Sequence, residues 1–421
     1  MSRIMTIVVE GYIAGGADRV ISQLLPFFKD YNIELLVNTA LDTSVLLSYS
    51  LPENVQLIRY SWKTPADIGD WAARADSAHM VFLRRSLSVV LRYPLNMLLF
   101  LHFLNYFRKR SPDILFINNG GYPGGAGCMM ASAAAVIRGN LKIIHLIHSI
   151  ATPTQKLFLP LEWIVDRIVE RGGCFVAVSD AVAQSLRHIR KLKVNLVTIG
   201  NGLQIAPQPL PPACEKPLKF LQVGYLDCVK NQKFSVLALG ILAKKGIKNI
   251  YITFAGKETE KGYLSSMKEL AKQLGVEDQI HFAGFVSDMQ SLYLQYDAVL
   301  LTSIVEGMPM CILEAMRAGR AVIATSVGGV PELVEHTQTG YLLYGSGPEE
   351  LAEIWMQLLE RPAHLRTMGA NAYNRFMEHF TLDLQAQKYL DLINKEENKS
   401  IKRVKKNVIN PIAMVDFLKK N

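Results

Sequence analysis

Five prolines crowd into residues 204–217 (Pro207, Pro209, Pro211, Pro212 and Pro217), and they divide a 421-residue chain into two halves of the same kind. Proline fixes φ and carries no amide hydrogen, so this density stiffens the backbone and blocks regular structure. On either side, short β-branched apolar segments alternate with helical stretches. The candidate strands of the first half are 5–10, 34–37, 55–59, 114–117, 142–147, 175–178 and 195–199. Those of the second are 219–223, 249–255, 279–282, 298–302, 321–324 and 341–343. Several are apolar at nearly every position, which suits strands buried on both faces of a parallel sheet. Helical stretches such as 264–274 and 349–359 lie between them. Two serial βα runs around a stiff joint predict an α/β chain of two doubly wound, Rossmann-like domains, 1–205 and 218–378, joined by 206–217. Ligands of such sheets bind beyond the carboxyl ends of the strands, here in the cleft between domains. A terminal helix is expected at 379–394, within a helical pattern that starts near 376, and a mobile basic tail at 395–421.

Half of the residues are hydrophobic and a fifth are charged, a globular composition too long for one ordinary core. The five cysteines (128, 174, 214, 228 and 311) are odd in number and lack metal-ligand spacing, so reduced core thiols of a cytosolic protein are expected. The apolar start, MSRIMTIVVE, runs straight into a glycine-rich turn and reads as a buried first strand rather than a signal peptide. The greasiest run, 95–104, is about half of the roughly 20 residues that span a bilayer. The net charge of +9 is uneven: 395–421 holds eight Lys/Arg against three Asp/Glu, a net +5. A second basic group is Arg84, Arg85, Arg92, Arg108, Lys109 and Arg110. No zinc-finger spacing or aromatic RNA-binding signature accompanies these clusters, which argues against nucleic acid. Segment 84–110 mixes them with Leu, Phe and Met in a way that suits an anionic membrane surface, though a buried core helix has the same composition.

The densest chemistry lies in 300–343, LLTSIVEGMPMCILEAMRAGRAVIATSVGGVPELVEHTQTGYLL. A buried strand ends near Ser303 and a turn with Glu306 and Gly307 follows. Pro309 fits the first turn of a helix, and Gly319 fits its left-handed end. Glu314 sits about a turn into that helix and leans back toward its start. Two carboxylates thus converge on a helix end whose free amides and dipole suit a phosphate. By spacing alone, a capping glutamate and a solvated helix glutamate read the same way.

This stretch resembles the E-x7-E signature of the family 4 glycosyltransferases, with Glu306 and Glu314 as the acids. GFVSDMQSLYLQYDAVLLTS before it and GGVPELVEHTQTGYLL after it match as well, and GGADRV and IGNG keep their order in the first half. The resemblance implies a GT-B fold, a nucleotide-sugar donor (UDP- or GDP-sugar) and transfer with retention. It implies that Glu314 holds the ribose and that Glu306 meets the transferred sugar. Gly307, Met308, Met310 and Cys311 would line the donor, with amides from Met308 and Met310 because Pro309 has none. VGYLDCVKNQ (223–232) looks like the family's phosphate loop, with Gly224 in its turn and Lys230 on the lysine. Tyr225 replaces the usual arginine, so one cation is missing. Gly15 and Gly16 open a helix after the first strand and would face the donor phosphates; they do not make a dinucleotide fingerprint. His148, more than His145, matches a position beside the sugar. Gly284 and Phe285 resemble a nucleobase contact. Asn118, Asn119, Gly120 and Tyr122, in NNGGYPGG, are expected to shape the acceptor pocket.

No Asp-x-Asp pair occurs, so no metal or other cofactor is expected; the helix dipole and Lys230 can carry the charge. The acceptor expected from the resemblance is a glycan or a lipid-linked one. Other readings are another GT-B enzyme, such as a glycogen-type synthase, and a non-catalytic membrane-associated scaffold.

Overall fold

The computed structural model describes residues 3–10, 15–38, 50–73, 77–139, 141–154 and 159–408. The first domain runs β1 (Arg3–Glu10), α1 (Gly16–Leu24), β2 (Tyr31–Asn38), β3 (Val55–Tyr60), α2 (Pro65–Ala73), α3 (Ala78–Lys109), β4 (Ile114–Asn119), α4 (Ala126–Arg138), β5 (Lys142–Ile147), α5 (Leu159–Val169), β6 (Cys174–Ala177), α6 (Asp180–His188) and β7 (Asn195–Thr198). Its strands pair in parallel in the order β3-β2-β1-β4-β5-β6-β7. The second runs β8 (Leu218–Val223), α7 (Lys233–Lys244), β9 (Ile250–Ala255), α8 (Tyr263–Leu274), β10 (Ile280–Gly284), α9 (Met289–Leu294), β11 (Ala298–Leu301), α10 (Met310–Arg317), β12 (Ala321–Thr325), α11 (Val330–Leu333), β13 (Gly340–Leu343), α12 (Pro348–Glu360) and α13 (Ala363–His379). Its order is β10-β9-β8-β11-β12-β13, again parallel. Two such facing domains are the GT-B arrangement. Every expected strand is found; the inner ones are buried on both sheet faces, as in β1, where the six residues Met5–Glu10 are all buried, while β3, β7 and β10 at the sheet edges are largely half-buried or exposed.

The order of neighbours reverses between β1 and β4 in one sheet and between β8 and β11 in the other. Loops leaving those strand pairs diverge and leave a crevice. The two crevices face each other. The proline-rich joint lies along the second domain: Arg320 donates to Leu210 O (2.9 Å), Arg366 Nε to Pro212 O (3.0 Å), and Cys214 N to Asp297 Oδ1 (2.9 Å).

Three expectations need correction. The helical pattern from 376 through 394 is two helices. Helix α13 stops at His379, and α14 (Leu382–Val408) begins after a crossing at which Leu203 N donates to Phe380 O (3.0 Å) and Leu382 N to Leu203 O (2.8 Å). Helix α14 returns to the first domain, where Leu382, Ala386, Tyr389, Leu392 and Ile393 pack with Met5 and Ile7 of β1. Residues 395–408 of the basic tail therefore continue a helix, while 409–421 lie outside the described residues. The apolar run 95–104 lies in the carboxyl half of the 32-residue helix α3. Of the five free cysteines only Cys128, Cys174 and Cys214 are core thiols; Cys228 is exposed and Cys311 half-buried.

Candidate active site

Glu306 sits in the loop between β11 and α10, across the crevice from the loop that follows β8. Lys230 Nζ donates to Glu306 Oε1 at 2.6 Å. The approach is fixed by the fold of 224–232. Lys230 N binds Asp227 Oδ1 (2.9 Å), Gln232 Nε2 binds Tyr225 O (2.7 Å), and Thr302 Oγ1, at the end of β11, binds Asn231 O (2.9 Å). Gln222 in turn donates to Thr302 (2.8 Å) and accepts from Ser235 (2.8 Å), a buried chain joining β8, α7 and β11. Burial works against the Lys230 charge, but Glu306, with Cys311 and Asp227, outweighs it and holds the ammonium above its ordinary range.

Pro309 caps α10 rather than starting it, and Gly319 beyond its end adopts φ +63, as the sequence required. Glu314, in the second turn of α10, is buried and engaged on both oxygens. Tyr293 OH donates to Oε2 (2.8 Å), and Arg19 of α1 reaches from the other domain to Oε1. Burial and then the Glu314 charge push the Tyr293 phenol well up, so it keeps its proton and remains a donor. Cys311 lies in the fields of both acids. Burial and then Glu306 push its thiol up to about 12, which leaves it unreactive.

The first domain supplies the opposite wall. Gly15 caps α1, and a Cβ on Gly16 would stand 3.4 Å from Met310 Cγ, so the starts of α1 and α10 confront each other. His148, just past β5, places Nε2 2.8 Å from Asn118 Oδ1, while Asn118 Nδ2 donates to Ala17 O (3.3 Å). That second bond fixes the amide, so its oxygen faces the ring. Burial lowers His148 to about 4, leaving a neutral imidazole with its proton on Nε2 and an accepting Nδ1. The domains touch closely here. Gly307 packs on the His148 carbonyl, Ser179 Oγ donates to Gly307 O (2.8 Å), and Asn201 Nδ2 donates to Met308 O (3.3 Å). Glu332 caps the start of α6 from the second domain through Asp180 N (2.9 Å) and Ala181 N (3.0 Å).

Glu306, Glu314, Lys230, Cys311, Gly15, Gly16, Gly224, Gly307, Met308, Met310 and His148 thus meet at one cleft. Tyr225 contributes a carbonyl to the lysine loop. Phe285 is 69% exposed beside Gly284, beyond the outer strand β10, with Lys257 Nζ 4.7 Å from its ring centre. The expected acceptor residues behave differently. Tyr122 is fully buried and donates to Asp166 Oδ1 (2.8 Å), which pairs with the buried Arg190 (2.8 Å). Asn119 is buried and shapes its own loop, donating to Pro123 O (2.8 Å) and accepting from Gly125 N (3.1 Å). In this structure neither side chain faces the cleft; Gly120 stands next to open space. His145 is a core residue, stacked on Phe175 at 4.2 Å and beside Ser132 Oγ (3.1 Å).

Sequence reasoning passed over Arg19, Tyr293, Glu332 and Ser179. Arg19 was visible as the last charge of GGADR; the others carry no local signal. Among the described residues no three of His, Cys, Asp and Glu gather as metal ligands.

Comparison with known proteins agrees with this geometry. Residues 211–375 match the family model described as glycosyl transferases group 1, and residues 55–206 match that of glycosyltransferase family 4. The two meet at the proline-rich joint. An uncharacterized glycosyltransferase of Haemophilus influenzae is 28% identical over 244 residues, 56% of this chain and 65% of that protein. The putative colanic acid biosynthesis glycosyltransferase WcaL of Escherichia coli is 25% identical over 242 residues, 55% of this chain and 58% of that one. The chain spans under two thirds of the length of these curated relatives. Among solved structures, Anabaena HepE in complex with UDP superposes with a TM-score of 0.70 at 18% identity, covering 93% of this chain and all of that one, a likeness of fold.

Proposed function

This chain belongs to the family 4 glycosyltransferases, and on that premise we propose that it moves a hexosyl-type sugar from a nucleotide-sugar, UDP- or GDP-linked, to a glycan or lipid-linked acceptor with retention of configuration. The observation that carries this reading is the paired arrangement of Glu306 with Lys230 and Glu314 with Arg19, set between two confronting helix starts. HepE, similar in fold, is described in complex with UDP and glucose, which supports a donor of this class.

In this proposal the diphosphate lies between the starts of α1 and α10, where free amides and both dipoles favour an anion. Lys230 supports the charge that builds as the C1–oxygen bond breaks and the electron pair leaves with the nucleoside diphosphate. Glu314 accepts from the ribose hydroxyls, and Arg19, displaced from it, turns to the diphosphate and supplies the cation that Tyr225 cannot. Glu306 accepts from the sugar hydroxyls. Neutral His148 offers Nδ1 as a further acceptor. Retention requires the acceptor oxygen to meet C1 on the face that the diphosphate leaves, so its proton lies within reach of the departing phosphate. No metal takes part, and the work is done on the cytosolic side, in cell-surface polysaccharide synthesis of the lipopolysaccharide or capsule kind. WcaL, described as a putative colanic acid biosynthesis enzyme, supports that setting.

The test is a thermal-shift and calorimetric screen with UDP-, GDP- and ADP-sugars, followed by donor hydrolysis. A shift with one nucleotide and slow hydrolysis of its sugar are expected. Binding of none of the three would overturn the proposal.

A further inference from the structure

Helix α3 runs for 32 residues, about 48 Å. Its carboxyl half is docked: Leu99, Phe103 and Phe107 are buried, Tyr106 OH donates to Glu34 Oε2 of β2 (2.7 Å), and Arg110 pairs with Glu34 Oε1 (3.3 Å). His102 and Phe103 pack on Trp62, 4.7 and 5.0 Å between ring centres, and Trp62 lies just past the carboxyl end of β3. The helix then runs back toward the start of β4. The docked half therefore lies over the sheet, and the start of the helix projects past the carboxyl ends of the strands. From 79 to 95 no residue is buried. At 1.5 Å per residue this is an overhang of about 25 Å, braced by α2 and projecting on the side where the cleft opens.

An overhang in water would be polar. This one exposes Phe82 (72%), Leu83, Leu87 and Val90 (64%), with Trp71 of α2 beside them and Arg84 stacked 4.8 Å over the Trp71 ring. Arg84, Arg85 and Arg92 interleave with them, and residues 77–112 contain six Lys/Arg and no Asp or Glu. In α2, Asp67 is turned onto Thr64, binding its amide (2.6 Å) and hydroxyl (2.9 Å). Within α3, apolar side chains lie among cations with no acid from 77 to 112, which matches a surface that is greasy within and anionic above, while α2 contributes two aspartates, Asp67 and Asp70.

We propose that the α2–α3 overhang seats this protein on an anionic bilayer, with Phe82, Leu83, Leu87 and Val90 in the acyl boundary and the arginines among the headgroups. By length and composition the helix could cross a membrane. However, the apolar run between Arg92 and Arg108 has 15 residues, short of the roughly 20 a span needs, and its inner face is already packed on the domain. The helix lies along the surface. A second copy of the chain fits less well, because a two-fold contact along α3 would set Arg84 and Arg85 against the same basic, acid-free stretch of the other copy. The seat follows β3 on the carboxyl side of the first sheet, the side on which Asn118 and His148 stand, so an acceptor held in the same bilayer would approach the site from that side. Docking itself does not depend on the proposed reaction, because it needs neither donor nor acceptor.

The test is flotation of the full chain with vesicles of phosphatidylcholine alone or with 30% phosphatidylglycerol, at low and high salt. Binding to the anionic vesicles at low salt is expected, weakened by salt. Phe82→Ser with Leu87→Ser and Val90→Ser should abolish it while the melting temperature holds, since those side chains are exposed. Arg84→Gln with Arg85→Gln should weaken it about thirty-fold. Absence of flotation by the native chain, or flotation unchanged in the serine variant, would overturn the proposal. So would a native dimer that the serine variant dissolves, which would assign the face to a second copy.

Discussion

Gly307, in the loop that carries Glu306, lies against the backbone carbonyl of His148 in the opposite domain, so closely that a Cβ would collide with it. Backbone has little room to yield, and the collision falls between domains rather than inside one. Gly307→Ala should therefore fold normally and fail to close. The expected result is an unchanged circular dichroism spectrum, a larger radius of gyration by small-angle scattering, and turnover reduced at least ten-fold. Native turnover in this variant would show that the contact is no part of the working state.

The bond between Arg19 and Glu314 crosses the same cleft. Glu314→Ala removes a charge-assisted acceptor and should weaken free-nucleotide binding by about 1.5–3 kcal/mol. Arg19→Ala should weaken the diphosphate more than the bare nucleoside. If Arg19 turns from the acid to the diphosphate, the two losses are not additive, and a double-mutant cycle on nucleotide affinity measures the coupling. Additive losses would leave Arg19 as an interdomain tie alone.

Glu306 and Lys230 form one ion pair but should separate by assay. Glu306→Ala is expected to keep free-nucleotide affinity and depress turnover. Lys230→Ala is expected to lower both, with turnover down roughly 10²–10³-fold, as for loss of a group that meets developing charge. Loss of nucleotide binding in Glu306→Ala would show that the roles of the two acids are exchanged.

Activity should survive EDTA. In the proposed donor pose, Lys230, Arg19 and the two helix starts would supply the positive charge that a metal ion otherwise brings to a diphosphate. Loss of turnover with EDTA, restored by magnesium or manganese, would refute a metal-free site.

His145 makes stability depend on pH. Burial lowers its pKa to about 3, while an unfolded histidine titrates near 6.5. Above that value neither state is protonated and nothing is lost. As pH falls from about 6.5 toward 3, the unfolded chain takes up a proton that the folded one refuses, so stability declines, by a few kcal/mol at most. His148, lowered to about 4, adds in the same direction. The melting temperature of His145→Phe should fall less between pH 7 and pH 4 than that of the native chain. Parallel curves would remove His145 from the effect.

Strands and joint were legible because their signals are local. A run such as 5–9, apolar except for Thr6, has few places to go other than a buried parallel strand, and five prolines admit no regular element. Glu306 and Glu314 were legible because one loop and one helix turn hold both. Arg19, Tyr293 and Glu332 act through contacts far apart in sequence, and no spacing rule connects them. Tyr122 misled because it lies in a glycine-rich loop at a strand end, where a cleft residue is expected; burial against Asp166 and Arg190 turned it inward. The length of α3 was missed because helix periodicity is read from an apolar stripe facing a polar one, and the overhang is apolar on its outer side as well.

The return of α14 to the first sheet also affects how the chain is made. Met5, Ile7 and Phe116 are completed by Ala386 and Tyr389, which leave the ribosome only after the whole second domain has been translated. At about 5–20 residues per second, the roughly 180 residues from the joint to α14 take on the order of 10–35 s to synthesise. During that interval a nearly finished sheet waits with part of one apolar face uncovered, beside the part that Val20, Ile21 and Leu24 of α1 already cover. Order of synthesis and order of completion are therefore opposite for this protein: the half that emerges first acquires its last layer only after the other half exists.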